Sequence, residues 1–126
     1  MNEYLKLFEP IVDKLPIIKK ELKKVLNDMV SCKDACGWED FAPDGWTAFP
    51  IFSYPDGDDI EGITDKLPLT SRIIKNSIPN HGTAVFSRLS GNQYIKPHKG
   101  HQGEFLRYHL GLVVPEGDCG LRVIDE

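Results

Sequence analysis

An arginine and a histidine stand one residue apart in a strongly apolar run, Leu106-Arg107-Tyr108-His109-Leu110-Gly111-Leu112-Val113-Val114. Side chains alternate across a strand. Leu106, Tyr108, Leu110, Leu112 and Val114 therefore share one face, which reads as core. Arg107 and His109 share the other, followed by Gly111. Burying two such groups is costly unless they meet an anion or a partner. The guanidinium is a rigid fork that matches a carboxylate, and Gly111 leaves space beside it. The pair suits an organic acid; the competing reading is a barrel strand whose Arg and His face water. In Ala84-Val85-Phe86-Ser87-Arg88-Leu89, Ser87 lies on the face opposite Phe86 and offers a hydroxyl by the same logic.

A third group is His98, in Tyr94-Ile95-Lys96-Pro97-His98-Lys99-Gly100-His101. A histidine near a strand end suits a metal, since neutral imidazole is the commonest ligand. The non-haem iron arrangement combines two histidines and one carboxylate, with open positions for substrate and oxygen. Its carboxylate normally stands two residues after the first histidine, where this chain has Gly100. Spacing alone thus supports a metal only weakly. His81, in the turn Pro79-Asn80-His81-Gly82, and His101, in a Gly-flanked turn, read as non-ligands.

The elements that must hold these groups fall into three stretches. From about Glu3 to Val30, Leu5, Phe8, Ile11, Val12 and Leu15, then Ile18, Leu22, Leu26 and Met29, recur at helical intervals. Pro10 and Pro16 interrupt the run, which predicts a kink or two pieces. The second piece, Pro16 to Met29, carries Lys19, Lys20, Lys23 and Lys24 on a solvated face. From Ser31 to Asn80, Gly and Pro punctuate the chain. There a short strand is predicted at Thr47–Tyr54, and a helix from Thr70 to Ser77 with Thr70 or Ser71 as N-cap. Asp56-Gly57-Asp58-Asp59 reads as a solvated turn, because it lacks the alternation and terminal Glu of a calcium loop. After that, Thr83–Leu89, Tyr94–His98, Leu106–Val114 and Leu121–Ile124 read as short strands, the pattern of a sandwich or barrel. The organisation predicted is a helical segment, residues 1–36, followed by a mainly β domain, residues 37–126.

The bulk composition limits the function classes. The chain has 126 residues, 40% hydrophobic and 27% charged, enough for one cored domain. A net charge of −4 with scattered basic residues gives no footprint for nucleic acid. Three cysteines, Cys32, Cys36 and Cys119, make no disulfide framework and point to a reducing, cytoplasmic setting. Met1–Lys6 lacks a basic stretch followed by an apolar one, so no signal peptide is expected, and no apolar run nears the roughly 20 residues of a membrane helix.

Taken together, Thr83–Leu89, Ile95–Gly100, Leu106–Pro115 and Gly117–Val123, with their order and gaps, resemble the aspartyl/asparaginyl β-hydroxylase family. The resemblance is specific over Thr83–Val123 and looser upstream, around Trp46, Pro50, Ile51 and Pro68. It implies a double-stranded β-helix, a squashed jelly-roll barrel. It also implies Fe(II) as cofactor and 2-oxoglutarate as cosubstrate, which is oxidised to succinate and carbon dioxide while an unactivated carbon is hydroxylated. By this resemblance His98 is the first iron-binding histidine, and Ser87, Arg107 and His109 help to hold 2-oxoglutarate. Gly100 also fits, since some members carry Gly where a carboxylate ligand is usual.

The family's second iron-binding histidine, and the Arg that pairs with the distal carboxylate of 2-oxoglutarate, have no counterpart before Glu126. The expectation is thus a partial barrel, a fragment of a longer enzyme, prone to self-association through unpaired edges. Its substrate would be an amino acid, a peptide or an acyl chain. Two rivals differ in class. One is an inactive dicarboxylate-binding or regulatory module, which would keep the acid site without iron. The other is a zinc-binding interaction domain using Cys32, Cys36 and a histidine, which metal analysis of a Cys32→Ser variant would separate.

Overall fold

The computed structural model describes residues 5–33, 42–98, 106–117 and 119–122. Helix α1 spans Glu9–Val12 and α2 spans Leu15–Val25. Each has proline in its first turn, where a missing N–H costs nothing. The kink predicted from Pro10 and Pro16 is thus a break between two helices. Ile18, Glu21 and Val25 form the buried stripe of α2, with Leu22 packed partly against the core. Lys19, Lys20, Lys23 and Lys24 are exposed, as their spacing predicts. After Val25 the chain tightens into a 3-10 turn, Leu26–Asp28.

Strands β1 (Val30–Ser31), β2 (Trp46–Phe52) and β3 (Ala84–Leu89) form an antiparallel sheet in the order β1-β2-β3. Opposed residues share a face. Phe49 therefore meets Phe86 on the inner face, where both are buried. The outer face carries Trp46 opposite Leu89, Ala48 opposite Ser87, and Pro50 opposite Val85. β1 pairs only with Thr47 and Ala48. Pro50, which has no N–H for a ladder, lies beyond its reach and at a register irregularity between Pro50 and Phe52.

Helices α3 (Ile63–Lys66) and α4 (Pro68–Ser77) follow β2. The expected Thr70–Ser77 helix begins earlier, with Leu67 at the N-cap and Pro68 in the first turn. Leucine has no side chain that can cap. The buried Glu21 of α2 does it instead, accepting from the Leu69 N–H at 3.1 Å through Oε2 and from the Thr70 N–H through Oε1. Its charge also lies at the positive end of the helix. Thr70 and Ser71 are buried inside α4 instead of capping it, and their hydroxyls have no partner among the described residues. The core gathers Ile11, Ile18, Val25, Phe49, Ile51, Phe52, Leu67 and Phe86, so the helices cover one face of the sheet.

The Asp56–Asp59 stretch is a tight turn: the Gly57 N–H donates to Ser53 O at 2.8 Å and the Ser53 N–H to Asp58 O at 2.9 Å. Gly57 has φ +77°, and a Cβ there would stand 2.6 Å from Gly82 O. Asp59 pairs with Lys75 at 2.8 Å.

The expected strands at Tyr94–His98 and Leu106–Val114 take no part in a ladder among the described residues, nor do Leu121 and Arg122. Val123 and Ile124 lie outside the described residues. Alternation specifies which face of an extended chain is apolar, but a strand also needs a hydrogen-bonding neighbour. Here the alternation survives without one. Tyr108, Leu110 and Leu112 are half-buried, and Arg107, His109 and Gly111 are exposed. Leu106 and Val114, placed with the core by alternation, are 71% and 68% exposed, so the packed face is shorter than the pattern suggests. No described helix is long and apolar enough to cross a membrane.

Candidate functional site

The outer face of the sheet brings two of the four candidate residues to one side chain, Trp46. Trp46 opens β2 opposite Leu89, and Ser87 lies two residues from Leu89 in β3, on the same face. The Trp46 indole N–H donates to Ser87 Oγ at 2.8 Å. The Trp46 and His98 ring centroids lie 6.4 Å apart, with the planes tilted by 45°. The indole thus bridges a hydroxyl and an imidazole that stand eleven residues apart in the chain.

Local packing explains how His98 arrives there. Gly45 is crowded by the loop after β3: a Cβ at Gly45 would come within 2.8 Å of Gln93 Cγ and 3.0 Å of Ser90 Cβ. The Ser90 N–H donates to Gly45 O at 2.9 Å. Asn92 turns the chain with φ 61°, a conformation Asn tolerates better than most residues. The loop is thereby seated beside Trp46 before it runs on to His98.

His98 Nδ1 lies 2.8 Å from Lys96 O. A carbonyl only accepts, so Nδ1 carries the proton. In the neutral ring, Nε2 then holds the lone pair that a metal ligand donates. A backbone carbonyl on the second nitrogen is a common way to orient a ligating histidine.

Arg107 and His109 flank Tyr108, whose ring stacks on Phe8 with centroids 3.7 Å apart and planes 11° apart. With Tyr108 turned inward, alternation turns both neighbours outward, and both are exposed. No described contact joins either to Ser87 or His98. The structure therefore gathers Ser87 and His98 on Trp46, and presents Arg107 and His109 as a separate exposed pair.

As to metal, the donor chemistry of His98 fits one coordination position. No group of three His, Cys, Asp or Glu among the described residues could hold an ion. Gly100 and His101 lie outside the described residues, as does Cys36 of the zinc reading. Cys32 is buried. His81 is not part of this cluster: its ring packs on Phe52 at 4.3 Å, and Nδ1 lies 3.0 Å from Gly82 O.

Trp46 is the residue that sequence reasoning underrated. It stands one residue before the predicted strand, and its relation to Ser87 depends on the β2–β3 register, which side-chain types alone do not specify. Lys96 contributes only its carbonyl, which no residue type reveals.

The outer face of the sheet thus carries Trp46 and Ser87, with the His98 ring 6.4 Å from the indole, centroid to centroid. The model of the aspartyl/asparaginyl beta-hydroxylase family matches residues 13–126, and the chain belongs to that family. Curated proteins and solved structures offer no significant match.

Proposed function

We propose that the chain contributes to an Fe(II)- and 2-oxoglutarate-dependent hydroxylase site, built on the double-stranded β-helix of its family. The observation that carries this reading is the orientation of His98, with Nδ1 on the Lys96 carbonyl and its ring beside the Trp46 that also holds Ser87. His98 would hold the iron through Nε2. Arg107 would take a carboxylate of 2-oxoglutarate, with His109 and Ser87 adding contacts. Iron in such a site supplies oxidation by dioxygen: one oxygen atom enters the substrate C–H bond and the other enters succinate, as 2-oxoglutarate loses carbon dioxide.

The residues of this chain do the positioning. Because Ser87 Oγ accepts from the indole, its own O–H is available to donate, the polarity a carboxylate needs. Arg107 offers paired N–H groups in a planar fork. The apolar outer face, with Ala48, Pro50, Val85 and Leu89 around Ser87, strengthens such contacts by lowering the local dielectric once covered. The substrate class is an amino acid, a peptide or an acyl chain.

Titration calorimetry of 2-oxoglutarate into the purified chain, with and without Mn(II) as a redox-silent stand-in, tests the reading. Binding that Mn(II) strengthens is the expected result. Arg107→Ala should weaken it by about 30-fold or more, the usual effect of removing one partner of a hydrogen-bonded charge pair. His98→Ala should abolish the Mn(II) effect and leave folding intact. Oxoglutarate binding indifferent to both Mn(II) and His98 would replace the hydroxylase with a dicarboxylate-binding module. No oxoglutarate binding by the wild-type chain would end both readings.

A further inference from the structure

The residues before the family-matched region carry no family signature, yet one of them reaches the proposed acid site. Phe8 precedes residues 13–126 and occupies the N-cap position of α1. Its ring lies face to face with Tyr108, at 3.7 Å and 11°. Tyr108 is the residue between Arg107 and His109. Phe8 itself packs against the core, and α1 packs against α4, whose N-terminus Glu21 holds.

The stretch from Leu106 to Val114 forms no ladder among the described residues, and side chains pack it against the rest of the fold. Three face inward: Tyr108 on Phe8, and Leu110 and Leu112 against the core. Of these, only Tyr108 is adjacent to both Arg107 and His109. An extended chain pinned at Tyr108 has its neighbours' side chains directed to the opposite side. Rotation of the chain at Tyr108 would carry the guanidinium and the imidazole off that side together. A stacked pair resists such rotation more than a generic apolar contact does, because tilting either ring gives up the face-to-face contact.

We infer that Phe8 is a positioning residue for the Arg107–His109 pair, so that the helical segment outside the family-matched region completes the acid-binding surface. This rests on the reading of that pair as a 2-oxoglutarate site.

The test compares wild type with Phe8→Leu, which keeps apolar bulk but no ring, and Phe8→Tyr, which keeps the ring. Hydroxyl-radical footprinting, which reads side-chain exposure, and 2-oxoglutarate calorimetry are measured on each. In Phe8→Leu, labelling of Tyr108, Leu110 and Leu112 should rise while that of Phe86 in β3 is unchanged. Oxoglutarate affinity should fall about threefold to tenfold, the scale of one aromatic pair. Phe8→Tyr should restore both. An equal rise at Phe86 would mean that Phe8 merely supports the whole fold, and would overturn the inference. So would unchanged affinity in Phe8→Leu with normal wild-type binding. If wild type fails to bind oxoglutarate, the acid-site reading falls and takes the inference with it, a result distinct from failure of the stack alone.

Discussion

The two faces of the β1–β2–β3 sheet are built to different rules. The inner face is closed: Phe49, Phe86 and Ile51 meet the helices, and Phe52 and Leu67 have 0% exposure. Even the buried carboxylate of Glu21 accepts from two backbone donors of α4, one on each oxygen. The outer face is open, with Ser87, Val85 and Leu89 exposed, and the Trp46 indole N–H donates to Ser87 Oγ across it. The inner face is packed for stability, although the Thr70 and Ser71 hydroxyls buried in α4 have no partner among the described residues. The outer face carries Ser87 of the proposed acid site. Mutations on the two should therefore separate stability from binding.

The largest stability loss is expected at Phe52. Phe52→Ala empties the centre of the inner face and should cost about 3–5 kcal/mol, read as a fall in the urea midpoint at unchanged slope. Against a total of about 5–15 kcal/mol, that loss leaves a marginal fold. A loss below about 1 kcal/mol would mean that the inner face is not the main core. Next comes Glu21. Glu21→Ala leaves two buried N–H groups at the start of α4 unsatisfied, and should cost about 2–4 kcal/mol at roughly 1–3 per group. Glu21→Gln keeps one acceptor oxygen and should recover part of that loss. Equal losses in the two variants would show that charge at the helix end, not hydrogen bonding, carries the effect.

The inner face was partly legible in the sequence, because helical spacing and strand alternation both report burial. The lysines of α2, the break at Pro16 and the β3 strand all follow from period and punctuation. Glu21 was not legible, because a charged residue in a lysine-rich helix reads as solvated until its partner is known. That partner is the backbone of α4, 48 residues away. Thr70 and Ser71 illustrate the converse: good capping residues by type, they are buried past the cap because Glu21 already serves the N-terminus. Ser87, His98, Arg107 and His109 were singled out by residue type and family resemblance, but where the fold places each was not legible. That placement depends on the register that sets Trp46 beside Ser87, on the crowded Gly45 that seats the 90–93 loop, and on a stack from Phe8 far upstream.

The smallest stability effect, and the one that most sharpens the contrast, belongs to Trp46. Trp46→Phe keeps an aromatic ring at the start of β2 but removes the N–H donated to Ser87. That hydrogen bond is exposed on the outer face, so its loss should cost no more than about 1 kcal/mol in urea unfolding. The consequence should appear elsewhere. With no donor holding Oγ, the Ser87 hydroxyl can rotate and spend its proton on water, and oxoglutarate affinity should fall by about threefold to tenfold, the net worth of one hydrogen bond. A Ser87→Ala change added to Trp46→Phe should then cost little more, since the indole would act through the serine. If the two losses instead add in full, Trp46 does not work through Ser87, and the outer face is an aromatic wall with a hydroxyl beside it. If Trp46→Phe unfolds the chain as strongly as Glu21→Ala, the division between a closed structural face and an open binding face is wrong at its centre, because the residue that links Ser87 to His98 would then belong to the core.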